Sequence, residues 1–522
     1  MIDADQRAVL KRNLKKTWPV FFGRFGRLLP IQEMAIPVIM KGRNAIITSP
    51  TASGKTEAVL APIAEKLLNE KAPGLKVLYI VPTRALANDL YLRIHDQLIT
   101  LELLLAIRTG DKRDFNPKEP SDFLITTPES LDSLICRQTL TFSSLQFVIV
   151  DEIHLIDGSY RGDQVRVLLK RLNLISKTPF KIYTLSATIE GIDETAGRYM
   201  TDFDIIRSEG AREIEYKILD SLEDALGEAR KNKLLKILMF CNSRTEVELL
   251  SEECVRYWPK DKVVVHHGKL DRKIRSETET FFRDCKWGLC IATMTLEIGI
   301  DIGNIDVVFL YGPPWSVSSL LQRIGRGNRR KTTAIAYGIC RKPEEHACFE
   351  EMFELAVKGQ LEHKEYEFDK SVIVQQILSC LFQTATGLSE AEISELFNKF
   401  CDLDFIRLII DNLVNNNLAE WRQNKICASD KLMDWGEKGF IHSNIANSKD
   451  YQIVNSVTNS ILGNISTAFV DDRIRFAGRA WRVTQIKGVQ IKVVPTESGT
   501  APEFGHTPNQ GAFSWLLPAN MK

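Results

Sequence analysis

NAIITSPTASGKTEAVLAPIAEKLL, residues 44–68, joins an apolar run to an amphipathic helical pattern through the segment SPTASGKTEA. Seven of the ten residues in that segment, 49–58, are small or hydroxylated, and one is a lysine. Bulk is excluded where main-chain N–H groups must close around an anion, a lysine there supplies a point charge, and a following threonine offers a hydroxyl to a divalent cation. The helix that follows turns its positive end towards the same place. The segment fits the phosphate-loop pattern (G/A)xxxxGK(S/T), with Ser49 in the first position. It predicts a nucleotide site built from Ser49, Pro50, Thr51, Ala52, Ser53, Gly54, Lys55 and Thr56.

On either side of this loop, short β-branched runs alternate with longer helical patterns. NAIIT, KVLYIV, DFLIT, FVIVD and KIYTLSA are apolar throughout, as strands buried on both faces of a parallel sheet are. They predict a doubly wound α/β domain over residues 1–205. The pattern restarts with KILMFCN, KVVVHHG, LCIAT, IDVVFLYG and AIAYGIC, predicting a second α/β domain over 206–365 that has no phosphate loop of its own. Three helical patterns and a short hairpin, LAEWRQNKICAS, then predict a winged helix over 366–445, its second helix capped from the Ser of LSEAEI. Strand-like runs with turn residues between them predict a small β-rich module over 446–522.

Composition excludes other classes. At 522 residues the chain exceeds one hydrophobic core, and 44% hydrophobic with 26% charged residues is ordinary for a globular protein. Lys plus Arg number 68 against 67 Asp plus Glu, so any polyanion must be bound in a local cleft. Ten scattered cysteines without a CxxC pair predict a reducing compartment and no structural metal. The N-terminal residues lack the apolar core of a secretory signal, and no stretch approaches the roughly 18 apolar residues of a membrane helix. The chain reads as cytoplasmic with no membrane partner.

Two further segments carry charge to specific places. FVIVDEIHLI sets Asp151 and Glu152 at the end of an apolar strand, where a buried carboxylate calls for a cation. Beside a phosphate loop, Asp151 and Thr56 would hold Mg2+ and Glu152 would orient or deprotonate the attacking water. QRIGRGNRR, residues 322–330, predicts Arg326 and Arg329 one helical turn apart and sharing a face, two bidentate donors for a transferring phosphoryl group.

In this order, on two tandem α/β domains, these segments resemble superfamily 2 nucleic-acid helicases of the DEAD/DEAH-like group, here with a DEIH box. PTRALANDL, TTPESL, LSATI, FCNSRTEVE and IATMTLEIGIDIGNIDVV resemble the motifs that lie between them. DEIHLIDGSYRGDQVRVLLKRL, TLEIGIDIGNIDVVFLYGPPWSVSSLLQRIGRGNRR and AFVDDRIRFAGRAWRVTQI are most similar to the Lhr (large helicase-related) family. The resemblance implies two RecA-like parallel-sheet domains followed by a winged helix and a β-rich C-terminal module. It implies an ATP-driven motor, with Mg2+, that travels 3′ to 5′ on single-stranded DNA and unwinds duplex DNA or RNA:DNA hybrid. A monomer that meets repair or defence proteins is the expected form.

Carried over by position, the resemblance gives Gln32 to the adenine edge, Asp301 to the ribose, and Gln322, Arg326 and Arg329 to the γ-phosphate. Ser186 and Thr188, with His154, would couple hydrolysis to movement. Strand contacts would come from Thr83, Arg84, Thr127, Pro128, Asn242, Ser243, Arg244 and Thr293. Ala52 and Asn328 stand where the family usually has glycine, and asparagine is one of the few residues that tolerates a left-handed turn. The family's core continues beyond a β-rich start like this one, so a shortened chain and a compact relative both fit. The helix pattern DLDFIRLIIDNLVNN is too acidic to read DNA and is expected to act as a clamp; Trp421 and Trp481 are expected to anchor their hairpins. Two rival readings are a locally acting RNA-remodelling helicase and a nucleotide-gated nucleic-acid sensor.

Overall fold

The computed structural model describes residues 4–25, 27–50, 53–70, 72–187, 191–208, 213–297, 302–328, 333–360, 366–445, 450–502 and 511–518. They form two compact units, each gathered from separate parts of the chain. Met1–Glu209, His363–Ala446 and Pro508–Lys522 make the first, and Gly210–Glu362 with Asn447–Thr507 make the second.

The first unit is built on seven parallel strands: β1 (Asn44–Thr48), β2 (Val77–Ile80), β3 (Leu105–Arg108), β4 (Phe123–Thr126), β5 (Phe147–Val150), β6 (Lys181–Ser186) and β7 (Phe203–Arg207). Their order across the sheet is β3-β4-β2-β5-β6-β1-β7. Every residue of β2, β4 and β5 is buried, which is why each reads as an unbroken apolar run. All five runs expected from the sequence are strands here. β3 and β7 are additional and lie at the two edges, where β7 has a single buried residue and therefore no apolar run to announce it. Parallel strands deliver their outgoing loops to one edge of the sheet, so the segments after the neighbours β5, β6 and β1 meet there.

The second unit repeats the plan with β8 (Glu213–Leu219), β9 (Lys236–Cys241), β10 (Val263–His266), β11 (Gly288–Ala292), β12 (Val307–Tyr311) and β13 (Thr333–Ile339), in the order β10-β11-β9-β12-β13-β8. All pairings are parallel. β8, unexpected from the sequence, is again an edge strand with no fully buried residue.

Residues 366–445 supply helices Ser371–Gln383, Glu390–Phe397 and Leu403–Asn415 and the hairpin β14 (Ala419–Arg422) with β15 (Lys425–Ala428). Ser389 caps the second of these helices in a capping box with Glu392, as expected. The hairpin turns through Gln423 and Asn424, both at positive φ (+46° and +62°), the two-residue geometry that matches strand twist.

Ser371 to Phe382 are all buried, because this helix is wrapped by its own domain and by helices Pro128–Arg137 and Tyr160–Ile175 of the first sheet. It carries a polar network into that contact. Asp132 receives Arg171 at 2.7 Å, Gln376 at 3.0 Å, Ser379 at 2.8 Å, Gln375 at 3.2 Å and His442 Nδ1 at 2.9 Å. Burial alone would raise Asp132, yet His442 and Arg171 hold its carboxyl below the usual value. Burial alone would likewise lower His442, but Asp132 lifts it to about 9. The winged helix is thus clamped to the first sheet of its own unit, mainly through its first helix, Ser371–Gln383, and not through the acidic third helix expected to act as the clamp.

The β-rich module comprises β16 (Tyr451–Asn455), β17 (Ile461–Ile465), β18 (Arg473–Phe476), β19 (Arg479–Lys487) and β20 (Gln490–Pro495), ordered β17-β16-β20-β19-β18. It docks on the second unit's sheet through Glu248, which is wholly buried and accepts the main-chain N–H groups of Ala477 (2.7 Å) and Gly478 (2.9 Å). His267 Nε2 lies 2.9 Å from the same carboxylate. Trp481 is buried with its indole N–H on Phe476 O at 2.8 Å, a hairpin anchor as expected, whereas Trp421 is half exposed.

The expectation of one β-rich module over 446–522 needs correction at its end. Residues 511–518 return to the winged helix: Asn444 O accepts Ala512 N at 2.7 Å, Asn412 donates to Leu516 O at 2.5 Å, and Phe513, Leu516 and Leu517 enter its core. The sequence pattern gives no sign of this because three buried side chains in a short segment carry no period. Among the described residues, no helix is long and apolar enough to cross a membrane.

Leu516→Ala empties a wholly buried position in that core. It is expected to destabilise the first unit by about 2–5 kcal/mol, read as a lowered urea midpoint. An unchanged midpoint would mean that the returning segment contributes nothing to this core.

Candidate nucleotide site

The loop between β1 and helix Lys55–Asn69 turns at Gly54, whose φ of +82° is open to glycine. A Cβ there would stand 2.3 Å from Gln32 Nε2, so the position is restricted twice over. Lys55 is buried and donates from Nζ to the carbonyls of Ser49 (2.5 Å) and Pro50 (3.1 Å), which stations its charge inside the loop. Ser49 and Ser53 share a hydroxyl hydrogen bond across the same turn. Gln32, from helix Pro30–Met40, accepts Leu29 N at 2.9 Å and donates to Gly54 O at 3.3 Å. The residue expected at the base edge is therefore wired directly to the residue that shapes the phosphate turn. Thr51 and Ala52 lie outside the described residues.

Asp151 follows β5 and is buried beside this loop. Burial, with Glu152 adjoining, pushes its carboxyl up to about 6, against the opposing pull of Tyr79, Arg93 and Lys55. Tyr79, on β2, donates its hydroxyl to Asp151 Oδ2 at 2.8 Å. Arg93 Nη2 donates to the Thr56 hydroxyl at 2.9 Å. Thr56 and Asp151, the expected metal holders, thus share one electrostatic neighbourhood. A carboxylate raised by burial, and a hydroxyl oxygen with a second lone pair, fit a hard divalent cation.

Glu152 takes a left-handed conformation (φ +47°), with its N–H on Asp151 Oδ1 at 2.8 Å. Its Oε2 is buried without a hydrogen-bond partner, 3.6 Å from His154 Nδ1. The Ala187 N–H points at His154 Nδ1 (3.3 Å), so that nitrogen accepts and the ring proton sits on Nε2; Ser186 Oγ lies 3.1 Å from the same atom. Ser186 O in turn accepts Ser49 N at 3.3 Å. The segments after β1, β5 and β6 are therefore linked by hydrogen bonds, as coupling between them requires. Thr188 lies outside the described residues.

Thr83 and Thr127 stand at the N-termini of helices Arg84–Thr100 and Pro128–Arg137, which follow β2 and β4. Thr83 Oγ1 accepts Leu86 N at 3.2 Å and the Thr127 hydroxyl donates to Ser130 Oγ at 3.2 Å, while Arg84 is exposed and paired with Asp111 at 2.6 Å. Pro128 is the first helical residue of its helix. Adjacent helix N-termini at one sheet edge suit phosphate oxygens.

In the second unit, Arg323 is the organising residue that sequence reasoning missed. It is 1% exposed, with Nε on Glu297 Oε1 at 2.6 Å and Nη1 on Asn242 Oδ1 at 3.0 Å. Asn242 also donates to Pro313 O at 2.8 Å, and its own N–H and that of Ser243 bond Glu246. The Ser243 hydroxyl caps helix Arg244–Cys254. Asn242 and Ser243, expected on the strand, are thus committed to holding the loops. Arg244 begins that helix, Thr293 N bonds His266 O at 3.2 Å, and Gln322 is buried.

The helix expected to carry Arg326 ends at Ile324. The chain leaves it because Asn328 N pairs with Ile305 O at 2.7 Å, which Asn328 reaches through φ +47°, the left-handed turn anticipated for it. Arg326 is buried in this turn with Nη2 on Glu297 O at 2.6 Å, beyond the end of the helix expected to carry it. Asp301 and Arg329 lie outside the described residues.

Residues 29–195 match the DEAD/DEAH box helicase family and 217–331 match the helicase conserved C-terminal domain, together more than half of the chain. The ATP-dependent helicase Lhr-Core protein 2 of Thermococcus barophilus is 33% identical over 59% of this chain and 41% of its own length. Lhr-Core of Saccharolobus solfataricus is 27% identical over 95% of this chain and 63% of its own length. The chain therefore spans less than two thirds of these curated relatives. The structure of Mycobacterium smegmatis helicase Lhr bound to ssDNA and AMP-PNP aligns with a TM-score of 0.70 at 22% identity, over 81% of this chain and 61% of that one. The DUF1998 helicase MrfA bound to DNA and AMPPNP aligns with a TM-score of 0.75 at 20% identity, over 93% of this chain and 72% of that one. At these identities the structural likeness speaks for the fold.

Asp151 yields a pH test. Its folded carboxyl holds a proton more tightly than the unfolded chain does, so stability falls as pH rises from about 4 through about 6. Asp151→Asn removes that penalty. In nucleotide-free protein the variant is expected to unfold at higher urea than the parent at pH 7.5, with the gain shrinking towards pH 4. A gain of equal size at both pH values would show that burial of charge is not its cause.

Proposed function

Because the chain belongs to the DEAD/DEAH box helicases of superfamily 2 and is Lhr-like in sequence, we propose that it is an ATP-dependent DNA helicase. It hydrolyses ATP, moves 3′ to 5′ along single-stranded DNA, and unwinds duplex DNA or RNA:DNA hybrid. The observation that carries this reading is the hydrogen-bonded chain from Ser49 of the phosphate loop through Ser186 to His154, whose ring lies 3.6 Å from the unsatisfied Glu152 Oε2.

In this reading ATP lies on the Gly54 turn, with Gln32 at the adenine and Lys55 released from the Ser49 and Pro50 carbonyls to the β- and γ-phosphates. Mg2+, held by Thr56 and Asp151, would supply compensating charge on the phosphate oxygens. Glu152 Oε2 accepts a proton from the attacking water, and Gln322, Arg326 and Arg329 add positive charge and donors to the γ-phosphate. His154 and Ser186 report the state of that carboxylate to the loop after β6. Thr83, Arg84, Thr127, Pro128, Arg244 and Thr293 grip the strand backbone, which predicts little dependence on base sequence. Asp301 would meet the ribose, and Thr188 would act with Ser186.

Lys55→Ala and Glu152→Gln are each expected to reduce DNA-stimulated ATP hydrolysis by at least about a hundredfold, since each removes a group acting on the transferring phosphoryl. Strand displacement with DNA and RNA tails of either polarity measures direction and sugar preference in one set. Efficient unwinding from 5′ tails alone would contradict the proposed direction, and normal turnover in either variant would overturn the site.

A further inference from the structure

The edge of the second sheet that carries the strand contacts also carries two large apolar side chains in water. β11, β9 and β12 are neighbours, so the segments that leave them lie side by side: Thr293–Met294, Asn242–Arg244 and Gly312–Trp315. Met294 is 61% exposed and Trp315 is 77% exposed. They flank the middle loop, where Asn242 and Ser243 are already bonded within the protein.

The main chain around Trp315 is held on both sides. Gly312 N bonds Ile339 O at 3.0 Å, Pro313 O receives Asn242 at 2.8 Å, and Ser316 caps helix Val317–Ile324 by accepting Ser319 N at 3.1 Å. A rigid loop therefore presents an indole to solvent instead of folding it under. An aromatic side chain carried on such a loop, beside groups that suit phosphate oxygens, matches a strand whose backbone and bases are contacted at once.

We propose that Trp315 stacks on a nucleobase of the bound single strand, with Met294 lining the opposite side of the same edge. The proposal rests on the reading of the chain as a DNA helicase. Stacking is indifferent to base identity, because every base has a π-face. It supplies a hold on the bases that the phosphate contacts lack.

The test uses the full chain, a fluorescein-labelled oligo-dT, and an oligonucleotide of the same length that is abasic at every internal position. By anisotropy, Trp315→Ala is expected to bind oligo-dT roughly tenfold more weakly and the abasic strand as the parent does, whereas Trp315→Phe keeps most of the affinity. Equal weakening on both strands, or no weakening on oligo-dT, would overturn the proposal. A parent protein that binds neither strand would overturn the helicase reading itself, and this inference with it. Unchanged urea midpoints in both variants are expected of an exposed position and separate loss of stacking from loss of fold.

Discussion

A carboxylate at the end of a strand buried on both faces sets the terms for the first unit. β5 has no exposed residue, so Asp151 leaves it already out of water, and burial lifts its carboxyl to about 6. Such a group is tolerated only with donors and cations close by. Tyr79 supplies the hydrogen bond, Arg93 and Lys55 supply charge, and each stands on an element whose place follows from the strand order. β2 lies on one side of β5 and β6 on the other, with β1 next beyond. The phosphate loop is beside the acidic pair because the sheet is parallel and wound in that order. A buried carboxylate of this kind suits a hard divalent cation, and Lys55 beside it suits an anion.

The sequence displayed what repeats and hid what does not. Unbroken apolar runs showed the central strands, and small residues around Gly54 showed the turn, since both follow from close packing of the main chain. Edge strands β3, β7 and β8 escaped because one side meets water and leaves mixed residues behind. Tyr79 reads as one more apolar position in KVLYIV, and nothing local says that its hydroxyl reaches a carboxylate 72 positions away. Arg323 was overlooked beside Arg326 for the same reason: its partners Glu297 and Asn242 come from the segments that follow β11 and β9. Where Asn328 breaks the helix was half visible, in the residue type and not in the place where the helix stops.

Each parallel sheet carries its own accessory part. The winged helix is joined to the first by a buried charged hub, in which Asp132 is surrounded by donors from two helices and by His442. Hubs of this kind cost desolvation and repay little in stability, but they tolerate only one arrangement of their partners. The β-rich module is joined to the second sheet by a shared apolar core, by main-chain hydrogen bonds from Asp271 N to Leu462 O and from Asn464 N to Lys269 O, and by a buried carboxylate that captures two consecutive amides of a tight turn. Each accessory part should therefore travel with its sheet as a single body.

The division of the chain among the two units has a mechanical corollary. The polypeptide passes from one unit to the other four times, near residues 209, 362, 446 and 507, and not once as in a simple pair of beads on a string. Four tethers keep the local concentration of each lobe around the other high even when no contact joins them. A nick in a single tether would leave both lobes attached, so proteolytic cleavage at one crossing need not release a fragment.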